Sequence, residues 1–94
     1  MSTPPASVLL RASQIAIEHD KPLYFDYYTS SVDKTSYIGV RESEKLLMKS
    51  SDEYTSPIQG VFKCETCYIV ETENSLYIVS TDIPIRKIVA SKQG

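Results

Sequence analysis

The most chemically suggestive residues in the chain are two cysteines at the spacing Cys64-Glu65-Thr66-Cys67. Two thiolates so placed supply half of a tetrahedral zinc site. The chain has no other cysteine and a single histidine, His19, so one copy cannot complete the site with soft ligands. Two copies would bring four thiolates together, which makes a zinc-bridged dimer through Cys64 and Cys67 one reading of the motif. Cycling between dithiol and disulfide is another, but a strand-turn-strand setting lacks the helix N-terminus that lowers thiol pKa in redox folds. The plainer expectation is that both cysteines flank a tight hairpin turn as small, ordinary residues, with no cofactor and no bound metal.

His19-Asp20 could pair an imidazole with a carboxylate, yet catalysis would also need a nucleophile and an oxyanion site that nothing in the chain designates. A histidine closing a helix gains from the helix dipole without any catalytic role. The other carboxylates are scattered, and Gly39, Gly60 and Gly94 are too far apart to form a phosphate-cradling loop. The expectation is a protein that is not an enzyme, with no catalytic residues and no small-molecule substrate. Ser50-Ser51-Asp52-Glu53 and Ser56-Pro57 resemble phosphorylation sites, but a solvated loop accounts for them equally well.

Ten Lys plus Arg against twelve Asp plus Glu give a net charge of −2, which offers no general attraction to a phosphate backbone. Nucleic acid is therefore not expected as the main partner. The apolar run at Val8, Leu9 and Leu10 is broken by Arg11 and Ser13, so it falls short of a signal-peptide core or a membrane span. An intracellular, cytoplasmic protein with reduced thiols and no membrane role is expected. Against this plain background seven tyrosines stand out. Their amphipathic rings suit an interface, or stacking on single-stranded bases when cations lie nearby.

The elements that must position these groups follow from the periodicity. Val8, Ala12 and Ile15 recur at helical spacing beside Leu9 and Ala16, with Arg11, Gln14 and Glu18 opposite, so residues 5–19 read as an amphipathic helix. Thr3-Pro4 or Ser7 would start it, after a loose stretch over 1–5, and His19-Asp20-Lys21-Pro22 ends it. From there residues 22–89 read as a β-rich body and 90–94 as a tail. Leu23, Phe25 and Tyr27 alternate with Tyr24, Asp26 and Tyr28, the mark of a strand, and the loop 29–36 would return residues 37–40 beside it as a hairpin. Residues 45–49 suggest a third strand, and 58–64, 68–72 and 76–80 three more. Residues 83–89 suggest a last edge strand with Pro84 on its unpaired side.

If Glu73-Asn74 is a two-residue turn, Tyr68 faces Val79, Val70 faces Tyr77, Ile69 faces Ile78 and Glu71 faces Leu76. Both faces of this hairpin are then largely apolar. Either the helix covers one face and a curled sheet the other, or the second face is buried by another subunit.

Several stretches taken together resemble small uncharacterised proteins of large DNA viruses: 16–22 (Ala-Ile-Glu-His-Asp-Lys-Pro), Phe25-Asp26-Tyr27-Tyr28, 44–50, 52–58 and 72–78. The resemblance spans residues 8–85 and implies a viral accessory or virion-associated protein, in the host cell or the virion. It brings no active-site residues with it.

The fold class expected is α+β, an N-terminal helix on a curved antiparallel sheet of five to seven short strands, as a small, partly open barrel in one variant. The expected function is non-catalytic protein binding or self-association as a homodimer. Ile69, Leu76 and Ile78 would form the second buried face, with Tyr24 and Tyr28 as outer contacts. The rival is a small barrel binding single-stranded nucleic acid, with Tyr24, Tyr28 or Tyr37 as stacking platforms and Lys45, Lys49, Arg86 and Lys87 as the electrostatic groove.

Overall fold

The computed structural model describes residues 4–50 and 52–88. Helix α1 runs Ala6–His19 and buries Val8, Ala12 and Ile15, the stripe expected from the spacing. Pro5 stands at its N-cap position without a side-chain hydrogen bond, whereas the anticipated cap Thr3 lies outside the described residues, as does the tail 90–94. The helix stops where Asp20 enters the left-handed region at φ 56°, with Asp20 N donating to Ile17 O and Lys21 N to Ala16 O. Those bonds satisfy terminal carbonyls that would otherwise lack partners.

Beyond Pro22 come β1 (Leu23–Tyr24), a short helix α2 (Tyr28–Val32), β2 (Tyr37–Arg41), β3 (Glu44–Met48), β4 (Ile58–Cys64), β5 (Cys67–Thr72), β6 (Leu76–Ser80) and β7 (Ile85–Lys87). They form two sheets, one ordered β1-β6-β5-β4 and the other β3-β2-β7. The α+β class holds, and the sheets do not close into a barrel. Both are mixed rather than purely antiparallel, because β1 runs parallel to β6 and β7 parallel to β2. The central hairpin keeps the anticipated register, with Tyr68 opposite Val79, Ile69 opposite Ile78, Val70 opposite Tyr77 and Glu71 opposite Leu76. Its turn is tied by Thr72, whose N–H donates to Ser75 O while its Oγ1 accepts from Ser75 N.

The expected strand over 23–28 and its hairpin with 37–40 do not form. Only Leu23 and Tyr24 pair, with β6, and the chain then turns so that Tyr28 N donates to Phe25 O and α2 begins at Tyr28, the last residue of that expected strand, and runs into the segment read as a loop. The alternation had another cause. The segment passes the end of the first sheet, sending Tyr27 into one apolar layer and Tyr28 into the other. Ser31 fastens the turn, accepting from Ser80 N at 2.8 Å and donating to Tyr28 O at 2.6 Å. The last strand is shorter than expected, with Pro84 just before it accepting from Ile38 N; Val89 lies outside the described residues.

Three layers result. α1 and Tyr28 cover one face of the four-stranded sheet, burying Cys67, Ile69, Leu76 and Ile78. The three-stranded sheet covers the other, where Ile38, Leu47, Val70, Val79, Ile83 and Tyr27 pack together. Gly39 lies on the far side of the second sheet, under the side chains of Ile88 and Met48. A Cβ there would collide with both, so the absence of a side chain lets Ile88 fold back over β2.

Candidate functional site

The three-layer arrangement corrects the proposed interface. Ile69, Leu76 and Ile78 are each 0% exposed beneath α1 within one chain, so they form core and no second subunit is needed to bury them. The opposite face of the hairpin is covered by β2, β3 and Ile83, the first of the two alternatives the sequence left open. Tyr28 is likewise interior, packed in the helix-side layer, and burial pushes its hydroxyl pKa up. Tyr24 is the exception: it is 43% exposed and leans on Tyr77 at 5.8 Å between ring centroids.

The groups invoked for single-stranded nucleic acid are not brought together. Tyr37 lies under Arg86, whose guanidinium sits 5.0 Å from the ring centroid. By register this pair is on the outer face of β2 and β7, whereas Lys45 and Lys87 are on the inner face opposite Val40. Lys49 is engaged elsewhere, 4.8 Å over the Tyr27 ring and 3.9 Å from the Glu53 carboxylate.

Cys64 and Cys67 face one another across the β4–β5 turn, neither in a disulfide, and Glu65 takes the positive φ of 55° that the turn requires. Cys67 is fully buried, and burial is the main cause that pushes its thiol pKa up. A side chain with 0% exposure is out of reach of a second chain. Among the described residues no group of three or more His, Cys, Asp or Glu side chains is placed to hold a metal ion.

His19 pairs with Glu71 rather than with its neighbour Asp20. The Glu71 carboxylate accepts from His19 Nδ1 and from Lys21 Nζ, each at 2.8 Å, and Lys21 also donates to Thr72 O at 2.8 Å. These bonds tie the end of α1 to β5. The Lys21 hydrogen bond is the chief cause that holds the Glu71 carboxyl below its ordinary pKa. The cluster is a structural clamp, since every polar atom named is taken up by another element of the fold.

Leu10, Ile17, Phe25 and Tyr54 are exposed apolar side chains on the outer surface, whereas the exposed Val61 and Ile85 border a concave one. Between the two sheets is a cleft of about 210 Å³ lined by Ile38, Lys45, Ile58, Val61, Tyr68 and Ile85. Val61 is 46% exposed and Ile85 67% exposed, both large apolar residues at its mouth. The volume is below the roughly 300–1,000 Å³ of pockets that enclose a drug-sized ligand, so the cleft fits side chains of a docked chain better than a cofactor. One wall is β4, which ends the first sheet, pairs by hydrogen bonds with β5 alone among the described strands, and has β3 of the second sheet close by. Its pairing register shifts between Ile58 and Gly60 and then runs unbroken from Gly60 to Cys64.

No family model, no curated protein and no solved structure matches this chain. The cleft must therefore be read from its own chemistry. Sequence reasoning missed Ile38, Ile58, Val61, Lys63, Tyr68 and Ile85 as site residues. The alternation in 58–64 hinted at a half-exposed strand, but only the strand order reveals that β4 is an edge. No helix among the described residues is long and apolar enough to cross a membrane.

Proposed function

We infer that this is a non-catalytic protein-binding domain, and that its docking surface is the cleft between the sheets. The observation that carries the reading is the apolar lining of that cleft, with Val61 and Ile85 left substantially exposed beside an unpaired strand edge. Exposed apolar surface next to an edge strand is costly to maintain in a small protein unless something docks there. The buried titratable groups, by contrast, are consumed by structural contacts, which favours binding over catalysis. A viral accessory or virion-associated role, as the sequence resemblance implies, is compatible with such a module.

Self-association is the less favoured form of this reading. A two-fold contact brings the same patch of each copy together. Here that would bring together two clefts that each carry Lys45, with two further lysines nearby on the same strand faces, like charge towards like charge. The reading is tested by selecting linear peptides from a random displayed library on the full chain and measuring their binding to Val61→Asp and Ile85→Asp. Selected peptides should lose affinity for both variants while the variants remain folded. Peptides indifferent to both substitutions would overturn the cleft as the docking surface.

A further inference from the structure

The charges around the cleft specify a partner. Lys63 lies directly opposite Tyr68, so it shares the cleft-side face of β4 and β5 with Val61. Lys87 lies opposite Val40 and two residues beyond Ile85, which puts it on the cleft-side face of β7. Lys45 lines the cleft itself. Three cations therefore border an apolar floor in a protein whose net charge is −2. None of the three forms an ion pair among the described residues, although His19, Lys21, Arg41 and Lys49 all do. No Asp or Glu occupies a cleft-side position of β4, β7 or the paired part of β2.

The edge of β4 adds a second constraint. It is seven residues long, the longest strand among the described residues, and its outer side forms no strand pairing with any of them. An extended segment laid along it would gain main-chain hydrogen bonds, and its alternate side chains would point to one face. On the cleft side those side chains would meet Val61, Ile58 and Ile85 as apolar contacts and Lys63 and Lys45 as charges.

We propose that the partner is an extended segment of another protein, carrying alternating apolar and acidic residues, that adds to the free edge of β4 with its apolar side chains in the cleft and its carboxylates against Lys45, Lys63 and Lys87. This rests on the cleft being the docking surface. It excludes a second copy of the chain as the preferred occupant, because two clefts of the same positive charge would face each other, and it excludes basic partners for the same reason.

The test uses the peptides selected on the full chain, sequenced and resynthesised, each in plain form and with alternate backbone nitrogens methylated. The expected sequences are enriched in Asp and Glu alternating with apolar residues, and methylation of the nitrogens that face β4 abolishes binding. The charge-reversed pair Lys45→Glu with Lys63→Glu should weaken binding by about tenfold or more at low salt, the difference shrinking as salt rises. An unchanged thermal midpoint of that variant establishes that it is folded. Peptides that still require Val61 and Ile85 but show no acidic enrichment, or that bind equally well after charge reversal or methylation, would overturn this inference and leave the docking surface standing. Peptides that bind away from the cleft, or failure to select any, would overturn both.

Discussion

The two faces of the β5–β6 hairpin are both apolar, yet the chain closes them differently. On one, a fourteen-residue helix covers Cys67, Ile69, Leu76 and Ile78 so fully that all four are 0% exposed. On the other, a smaller sheet covers Val70 and Val79 completely and approaches β4 through β3, yet it leaves Tyr68 partly exposed and Val61 more so. A helix delivers a continuous stripe along its axis. A three-stranded sheet whose last strand has three residues has less reach. Both layers are closed at their centres, and the uncovered remnant on the sheet side is the proposed docking surface.

The largest expected effect is at the closed face. Ile78→Asp puts a carboxylate in a site with 0% exposure, and should cost about 4 kcal/mol or more, enough to abolish the folded state in urea or thermal unfolding. The same substitution in an oligomer interface would instead give a folded monomer, so the two outcomes discriminate directly. Truncating one residue from each layer sharpens the comparison: Ile69→Ala and Leu47→Ala should each destabilise by roughly 2–5 kcal/mol, because both side chains are fully buried. If Leu47→Ala were nearly neutral, the sheet-covered layer would be less well packed than described.

Titration offers a gentler probe of the same two regions. Tyr27 lies in the sheet-covered layer, and burial, followed by the nearby Tyr77, Glu53 and Asp26, pushes its pKa from 10.0 to about 12. A folded-state pKa raised above the unfolded one means that the neutral form is favoured by folding. This contribution is fully present below pH 10, and is lost as pH rises from there towards 12. Tyr27→Phe should flatten that alkaline decline in stability. At the other end of the scale Glu71, held down chiefly by Lys21, contributes stability above the ordinary glutamate range, which is lost as pH falls through its lowered folded-state pKa. Glu71→Gln should flatten the acid limb by a smaller amount. The smallest effect belongs to the open remnant: Ile85→Ala should change stability by no more than about 0.5 kcal/mol while weakening peptide binding.

Much of this was legible in the sequence, and the failures have physical causes. The helix stripe Val8, Ala12 and Ile15, and the hairpin register from Tyr68 to Val79, follow from side-chain period alone, because each is a local pattern. That the hairpin would be apolar on both sides was equally plain. What covers each side was not, since it depends on which strands share a sheet. Residues 23–28 illustrate the limit: their alternation sorts Tyr27 and Tyr28 into different layers without the backbone being a strand. Two of the strand pairings are parallel and join segments far apart in the chain, for which no turn chemistry leaves a local trace. The same non-locality hid the cleft. Val61 and Ile85 look like ordinary strand residues until β4 and β7 are seen to end their sheets.

The most direct test of the account is the solution mass by light scattering across a dilution series, at low and high salt. If one chain buries both faces of its central hairpin, the mass should stay at 10.6 kDa throughout. A dimer that persists on dilution and is unaffected by salt would contradict it, because both hairpin faces are closed within a single chain and the lysines around the cleft would make a self-contact there depend on salt.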